Sequence, residues 1–258
     1  MRAIFPALLI LAGCAKPDGD APLPQSACAP QFFEGTRITV CDPGPGKLLL
    51  FAAGPKDRPL RSFAEVAAKV DPAKVAFAMN AGMFDQNGRP IGLAFSSLGY
   101  GHPLNLRSGP GNFHLKPNGV FMVTANGRPA IFQSDRIPQF RAAPLLATQS
   151  GPMLVINGKL HPRFDRDGSS RLIRNGVGVT ADGHALFAIS EQPLSFGKFA
   201  RFFRDRLHTP NALYFDGVVS SLWDPANARQ DSHSPLGPII VALKPAASAP
   251  GRAARARP

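Results

Sequence analysis

The sequence predicts an α+β fold: a single domain whose core is a largely antiparallel mixed sheet, covered by a few helices. Three observations carry this expectation. Gly 25 and Pro 27 among 258 residues interrupt long helices and exclude a helical bundle or coiled coil. Asx-Gly pairs recur between short apolar runs, as they do in hairpins. Helical patterning is confined to two stretches. Hydrophobic residues at 44% against charged residues at 18% supply enough apolar surface for a globular core, which residues 28–244 are expected to form.

In chain order, Ser62-Phe63-Ala64-Glu65 fits a capping box that opens a helix through Val70. VAFAMN at 75–80 reads as a buried strand. Asn118-Gly119, Asn126-Gly127, Asn157-Gly158 and Asp182-Gly183 are expected hairpin turns, because such pairs tolerate positive φ. VFMVT and PAIF flank the second, MLVI and KLH the third, GVGVT and ALFAI the fourth. Phe196, Phe199, Ala200, Phe203 and Leu207 then form one apolar helical stripe that should cover the sheet. Lys198, Arg201 and Arg204 lie opposite, as a solvated face or one that approaches an anionic membrane. A last apolar strand, Ala212 to Phe215, precedes Asp216.

At the N-terminus, Arg2 and the apolar run Ala3 to Leu11 have the pattern of an export signal and are too short to span a bilayer. Leu11-Ala12-Gly13-Cys14 resembles the lipobox of bacterial lipoproteins. That resemblance implies a signal peptide at 1–13, lipid on Cys14 and, with Ala15 following, the outer membrane. An ordinary cleaved signal ending near Ala15 is the alternative; either way the chain is exported, to the periplasm. Residues 14–27 have a linker's composition and residues 245–258 that of a disordered tail. Cys28 and Cys41 remain as an even pair in an oxidising compartment, which predicts a disulfide over two free buried thiols. The net charge of +12 is dispersed, so it marks either anionic partners or a plain basic surface. Two Tyr and one Trp offer few stacking rings, which weighs against nucleic acid.

The GxSxG, Walker-type, HExxH and paired CxxC signatures are missing, and Asp165 and Asp167 read as a solvated loop or a calcium site. Four segments stand out instead, each an apolar strand next to polar or glycine-rich residues. VAFAMNAGMFD at 75–85 ends its strand at Asn80 and continues through Gly82 to Asp85, either a presented amide and carboxylate or an Asx turn. ATQSGPMLVINGK at 147–159 places Gln149, Ser150 and Gly151 before a strand, as an anion-binding nest or a tight turn. In RLIRNGVGV at 171–179, Arg174 opens a strand and should find a protein carboxylate or a substrate phosphate. NALYFDGVVSSLW at 211–223 delivers Asp216 to a strand end, followed by Gly217, Ser220 and Ser221.

Together and in this order, NAGMF at 80–84, QSGPMLVING at 149–158, RNGVG at 174–178 and FDGVVSS at 215–221 resemble the phosphodiester glycosidase family. Val218 and Val219 depart from the glycines that many members carry there. The resemblance implies cleavage between a sugar's anomeric carbon and a phosphate, with no cofactor. A phosphate leaving group is a weak base, so charge stabilisation outweighs protonation. Arg174 would supply it, assisted by N–H groups near Gly151 or Gly217. Asp216 is the first choice for the catalytic carboxylate, with Asp85 and Glu191 as candidates for a second. Asn80, Ser220 and Ser221 would bind sugar hydroxyls, and Gly82, Gln149, Ser150, Gly151, Asn175 and Gly217 complete the expected substrate-binding set. His102, His114, His161 and His233 lack a partner spacing and read as structural or exposed.

The expected substrate is thus a carbohydrate phosphodiester in the cell envelope. The competing functions are a non-catalytic envelope lipoprotein that binds acidic glycans or membrane, and a glycosidase acting on exopolysaccharide. The enzymatic reading requires Arg174 and Asp216 to flank a common cavity.

Overall fold

A computed structural model describes residues 25–53, 58–96, 99–138 and 141–245. Cys14, the expected signal segment and residues 246–258 of the expected tail lie outside the described residues. Strands follow one another as β1 (Cys28–Phe33), β2 (Thr36–Cys41), β3 (Leu48–Phe51), β4 (Val75–Asn80), β5 (Ala94–Ser96), β6 (Tyr100–His102), β7 (Gly119–Val123), β8 (Pro129–Gln133) and β9 (Leu146–Ser150). They continue as β10 (Met153–Ile156), β11 (Lys159–Leu160), β12 (Asn175–Val179), β13 (Ala185–Ser190), β14 (Asn211–Tyr214), β15 (Leu222–Asp224), β16 (Arg229–Gln230) and β17 (Ile239–Leu243). Among the described residues the α-helices are α1 (Phe63–Ala67) and α2 (Phe196–Arg201).

These strands form three sheets, ordered β1-β2-β13-β12-β14-β10-β11, β16-β15-β4-β17-β3 and β6-β5-β9-β7-β8. Few helices and mostly antiparallel strands make this the α+β domain that the sequence predicts, with its core divided among three sheets. The sheets share one central core. Phe77, Met79 and Ile240 meet Phe121 and Leu146 there, together with Val177, Phe187, Leu213 and Phe215. Strand alternation sorts the rest: Ile240 and Ala242 of β17 face this core, whereas Ile239 and Val241 face α1.

Local chemistry explains most elements. Ser62 caps α1, its Oγ accepting from Glu65 N at 3.2 Å, while the Glu65 carboxylate accepts from Arg61 N at 2.5 Å. Cys28 and Cys41 are directly opposite in the β1–β2 ladder and are joined by the expected disulfide. Asn157 and Gly158 both take positive φ, 48° and 79°, in the two-residue turn between β10 and β11. Gly127 and Gly183 supply the positive φ of the loops closing β7–β8 and β12–β13.

Two expectations fail. Asn118-Gly119 is no hairpin turn: a single 3-10 turn, Asn112–His114, precedes it where a partner strand would be needed. Asn118 is instead buried, its Nδ2 donating to Phe113 O at 2.8 Å, and Gly119 opens β7. The second helix also departs from the expected pattern. Its stripe is buried on the seven-stranded sheet against Ile38, Leu154 and Ala212, but after Arg201 the backbone widens into a π-helical turn, Phe202–Arg206. That extra residue turns both Phe202 and Phe203 inward. Arg201 is therefore not solvated. It is 3% exposed and holds Glu34 through two bonds, Nε to Oε1 at 2.9 Å and Nη2 to Oε2 at 2.6 Å.

Candidate active site

Asn80 ends β4, Asn175 begins β12, and β14 leads by way of Phe215 to Asp216 just past its end, so three of the four singled-out segments meet where two sheets join. Asn80 Oδ1 accepts from Asn175 Nδ2 at 2.9 Å and from Ser221 N at 2.8 Å. Asn80 Nδ2 donates to the backbone oxygen of Asp216 at 2.8 Å. Ser220 Oγ donates to Asn175 Oδ1 at 3.0 Å, and Ser221 Oγ to Val219 O at 2.7 Å. All four residues are buried. They form a closed polar clamp behind the Asp216 turn, and their side chains bond one another and the backbone, where the sequence suggests sugar hydroxyls.

The remaining segment, 147–159, buttresses the first. A Cβ on Gly82 would stand 2.5 Å from Gln149 O and from Thr148 Oγ1, so only glycine lets the NAGMF backbone pass β9. Gln149 is fully engaged, Oε1 accepting from Leu93 N and Asn105 N and Nε2 donating to Asn105 O and Ser134 Oγ. Gly151 is buried against Asn118 and Phe113, which removes it from reach of a surface anion. Ser150 Oγ is buried without a hydrogen-bond partner.

Asp216 itself is partly exposed at the start of a one-turn 3-10 segment, Gly217–Val219, and its Oδ1 accepts from Val218 N at 3.2 Å. Burial of the carboxylate pushes its pKa up, and the Val218 N–H only partly opposes this. Glu191 and Asp85 are each bonded to other groups. The Glu191 carboxylate accepts from Thr39 Oγ1 and from Arg229 Nη1 at 2.7 Å, tying β13 to the second sheet. Asp85 Oδ1 accepts from Asn87 N and Arg89 N and shapes its own loop. Both candidate second carboxylates thus have structural partners.

Arg174 lies two positions before Gly176, which pairs with Tyr214, as Asp216 lies two positions after Tyr214. The guanidinium is nevertheless wholly buried, which corrects its reading as a direct phosphate clamp. Its partners are neutral: Nε donates to Leu194 O at 2.9 Å, Nη2 to Ser170 O and Oγ, and Nη1 to Tyr214 Oη at 3.1 Å. The Phe196 ring lies 3.6 Å from the guanidinium carbon and supplies cation–π stabilisation. The expected ion pair is thus replaced by carbonyls, hydroxyls and an aromatic face.

Tyr214, read from sequence only as part of an apolar strand, is the missing link. Its hydroxyl accepts from Arg174 Nη1, and a Cβ on Gly217 would stand 1.7 Å from it. Burial and the Asp216 charge push the phenol pKa up, while Arg174 opposes them. A buried cation therefore supports the Asp216 turn through a phenol. The available signal was its placement two residues before Asp216, on the same strand face.

Among the described residues, no group of three or more His, Cys, Asp or Glu side chains converges to hold a metal. A half-buried carboxylate with a raised pKa at a strand end suits proton transfer or attack on an electrophilic carbon. Three antiparallel sheets carrying such a carboxylate on a clamped turn form the candidate site of this α+β domain.

Comparison with known proteins supplies the family. The phosphodiester glycosidase profile matches residues 73–241, which contain every segment of this site, and the chain belongs to that family. An uncharacterised Escherichia coli protein, YigE, is 38% identical over 154 residues, 58% of this chain and 58% of that protein. The chain thus spans little more than half of that relative's length. The catalytic domain of zebrafish N-acetylglucosamine-1-phosphodiester alpha-N-acetylglucosaminidase, auto-inhibited by its pro-peptide, shares the fold: TM-score 0.55, 15% identity, 88% of this chain and 85% of that one. A hypothetical protein from Synechocystis has a TM-score of 0.51 at 16% identity, over 84% of this chain and 61% of that one.

Proposed function

We propose that the protein hydrolyses a sugar-1-phosphodiester, with Asp216 as its catalytic carboxylate. Family membership supports a glycosidase-type hydrolase, and the Asp216 turn is the observation that carries the assignment. In this mechanism Asp216 removes a proton from water, the water oxygen bonds to the anomeric carbon, and the bond from that carbon to the phosphate oxygen breaks. The electron pair leaves with the phosphate, giving a reducing sugar and a phosphomonoester. A phosphate leaves without protonation, so one carboxylate suffices, and this agrees with Asp85 and Glu191 having other partners.

Arg174 and Tyr214 act as positioning residues that fix the turn. The cell envelope is the proposed location, supported by the lipobox-like Leu11-Ala12-Gly13-Cys14 and by the Cys28–Cys41 bridge. The test is product analysis by mass spectrometry after incubation with an N-acetylglucosamine-1-phosphodiester. Equal amounts of free sugar and phosphomonoester are expected. Release of sugar only from ordinary glycosides would favour a glycosidase acting on exopolysaccharide, and salt-sensitive binding without turnover a glycan-binding lipoprotein.

A further inference from the structure

The solvent side of the Asp216 turn is apolar. Val218, at its tip, is 72% exposed, and Leu172 and Ile173, just before Arg174, are 39% and 38% exposed. The β12–β14 ladder ends with Gly176 opposite Tyr214, and residues 217–219 then leave it as a 3-10 turn. Beyond the paired strands, Ser220 Oγ donates to Ile173 O at 3.2 Å and holds the two segments side by side. Single exposed aliphatic residues are ordinary, but three on adjoining segments beside a candidate catalytic carboxylate form a patch. Arg171 precedes them, is exposed, and has no ion pair among the described residues.

We propose that this rim is the subsite for the group beyond the phosphate, and that it takes a hydrocarbon alcohol. Val218, Ile173 and Leu172 cover the aliphatic chain, and Arg171 faces the phosphate that joins it to the sugar. The substrate class is then a sugar-1-phosphate esterified to an aliphatic alcohol, a proposal that rests on the hydrolase reading above. Its physical basis is removal of methylenes from water onto side chains that are themselves poorly solvated. The covered surface belongs to the leaving group, so chain length should affect binding whichever sugar is attached.

Calorimetry with methyl phosphate and octyl phosphate, the latter below its micellar concentration, tests the subsite independently of turnover. Octyl phosphate is expected to bind the full chain at least tenfold more tightly than methyl phosphate, and the ratio to fall below threefold in Val218→Ser/Ile173→Ser. Arg171→Gln should weaken both phosphates alike. Equal binding of the two phosphates, or an unchanged ratio in the double variant, would overturn the proposal. The methyl and octyl diesters of N-acetylglucosamine-1-phosphate separate the two levels of inference. Cleavage of both at equal kcat/KM overturns the subsite alone. Preferential octyl phosphate binding with cleavage of neither diester overturns the hydrolase reading and leaves the apolar subsite in place.

Discussion

Asn175 has its amide bonded to Asn80 and its oxygen to Ser220, at a point where no water reaches it. Removing that side chain takes one buried hydrogen-bond partner from each of Asn80 and Ser220, which keep Ser221 N and Ile173 O, and a lost buried partner costs about 1–3 kcal/mol. Asn175→Leu is therefore expected to lower the unfolding free energy in urea by roughly 3 kcal/mol; a loss under about 1 kcal/mol would contradict the clamp. Sequence reasoning found this residue and its neighbours because each stands at a strand end within a recognisable segment. It misread what their amides bond, because residue type and spacing do not say whether a strand-end side chain turns toward solvent or toward another sheet. Arg174 was misread for a related reason. A guanidinium implies an acceptor, yet only the packed helix shows that carbonyls, a phenol and the Phe196 ring fill that role.

Among the elements, the 3-10 turn from Gly217 to Val219 is the one most tightly specified. Gly217 lies against the Tyr214 hydroxyl so closely that any Cβ must displace it, breaking the link to Arg174. Gly217→Ala should cost about 2 kcal/mol or more, as overpacking of a closed site does. Combining it with Tyr214→Phe, which removes the obstructing oxygen, should cost less than the sum of the two single changes in urea titrations. Strict additivity would show that the two residues do not share this contact. Hairpins with an Asx-Gly pair between two strands were legible in the sequence, since the turn needs only local backbone freedom. Asn118-Gly119 was not, because a turn signal cannot show that its upstream partner strand is missing. The π turn after α2 was equally hidden: a helical stripe records which residues prefer the sheet, and a one-residue widening alters that record only by burying Phe202 and Arg201.

At the scale of the molecule, three sheets close around one core and ion pairs fasten the periphery, Glu34 to Arg201 among them. The α+β class was readable from composition and periodicity; the division into three sheets depends on long-range pairing that local patterns do not encode. The Arg201 hydrogen bonds hold Glu34 below its ordinary pKa, and Arg204 does the same for Asp205. The unfolded chain then binds more protons than the folded one across that window, so stability falls as pH drops through the folded values. Below the ordinary carboxylate range thermal melts should decline; a melting temperature that rises on acidification there would contradict this. Asp216 has the opposite sign. Its raised pKa means that stability falls as pH rises through the window above the ordinary aspartate range, so ionised Asp216 is a local destabilisation that serves the site.

That opposition makes Asp216→Asn the most direct test, because the substitution keeps the Oδ1 acceptor for Val218 N while removing the charge. Measured as kcat/KM on an N-acetylglucosamine-1-phosphodiester, with the melting temperature taken in the same buffer, the variant should lose roughly 10³-fold in rate and melt no lower than the wild type. Activity within about tenfold of wild type would contradict the assignment of Asp216 as the catalytic carboxylate.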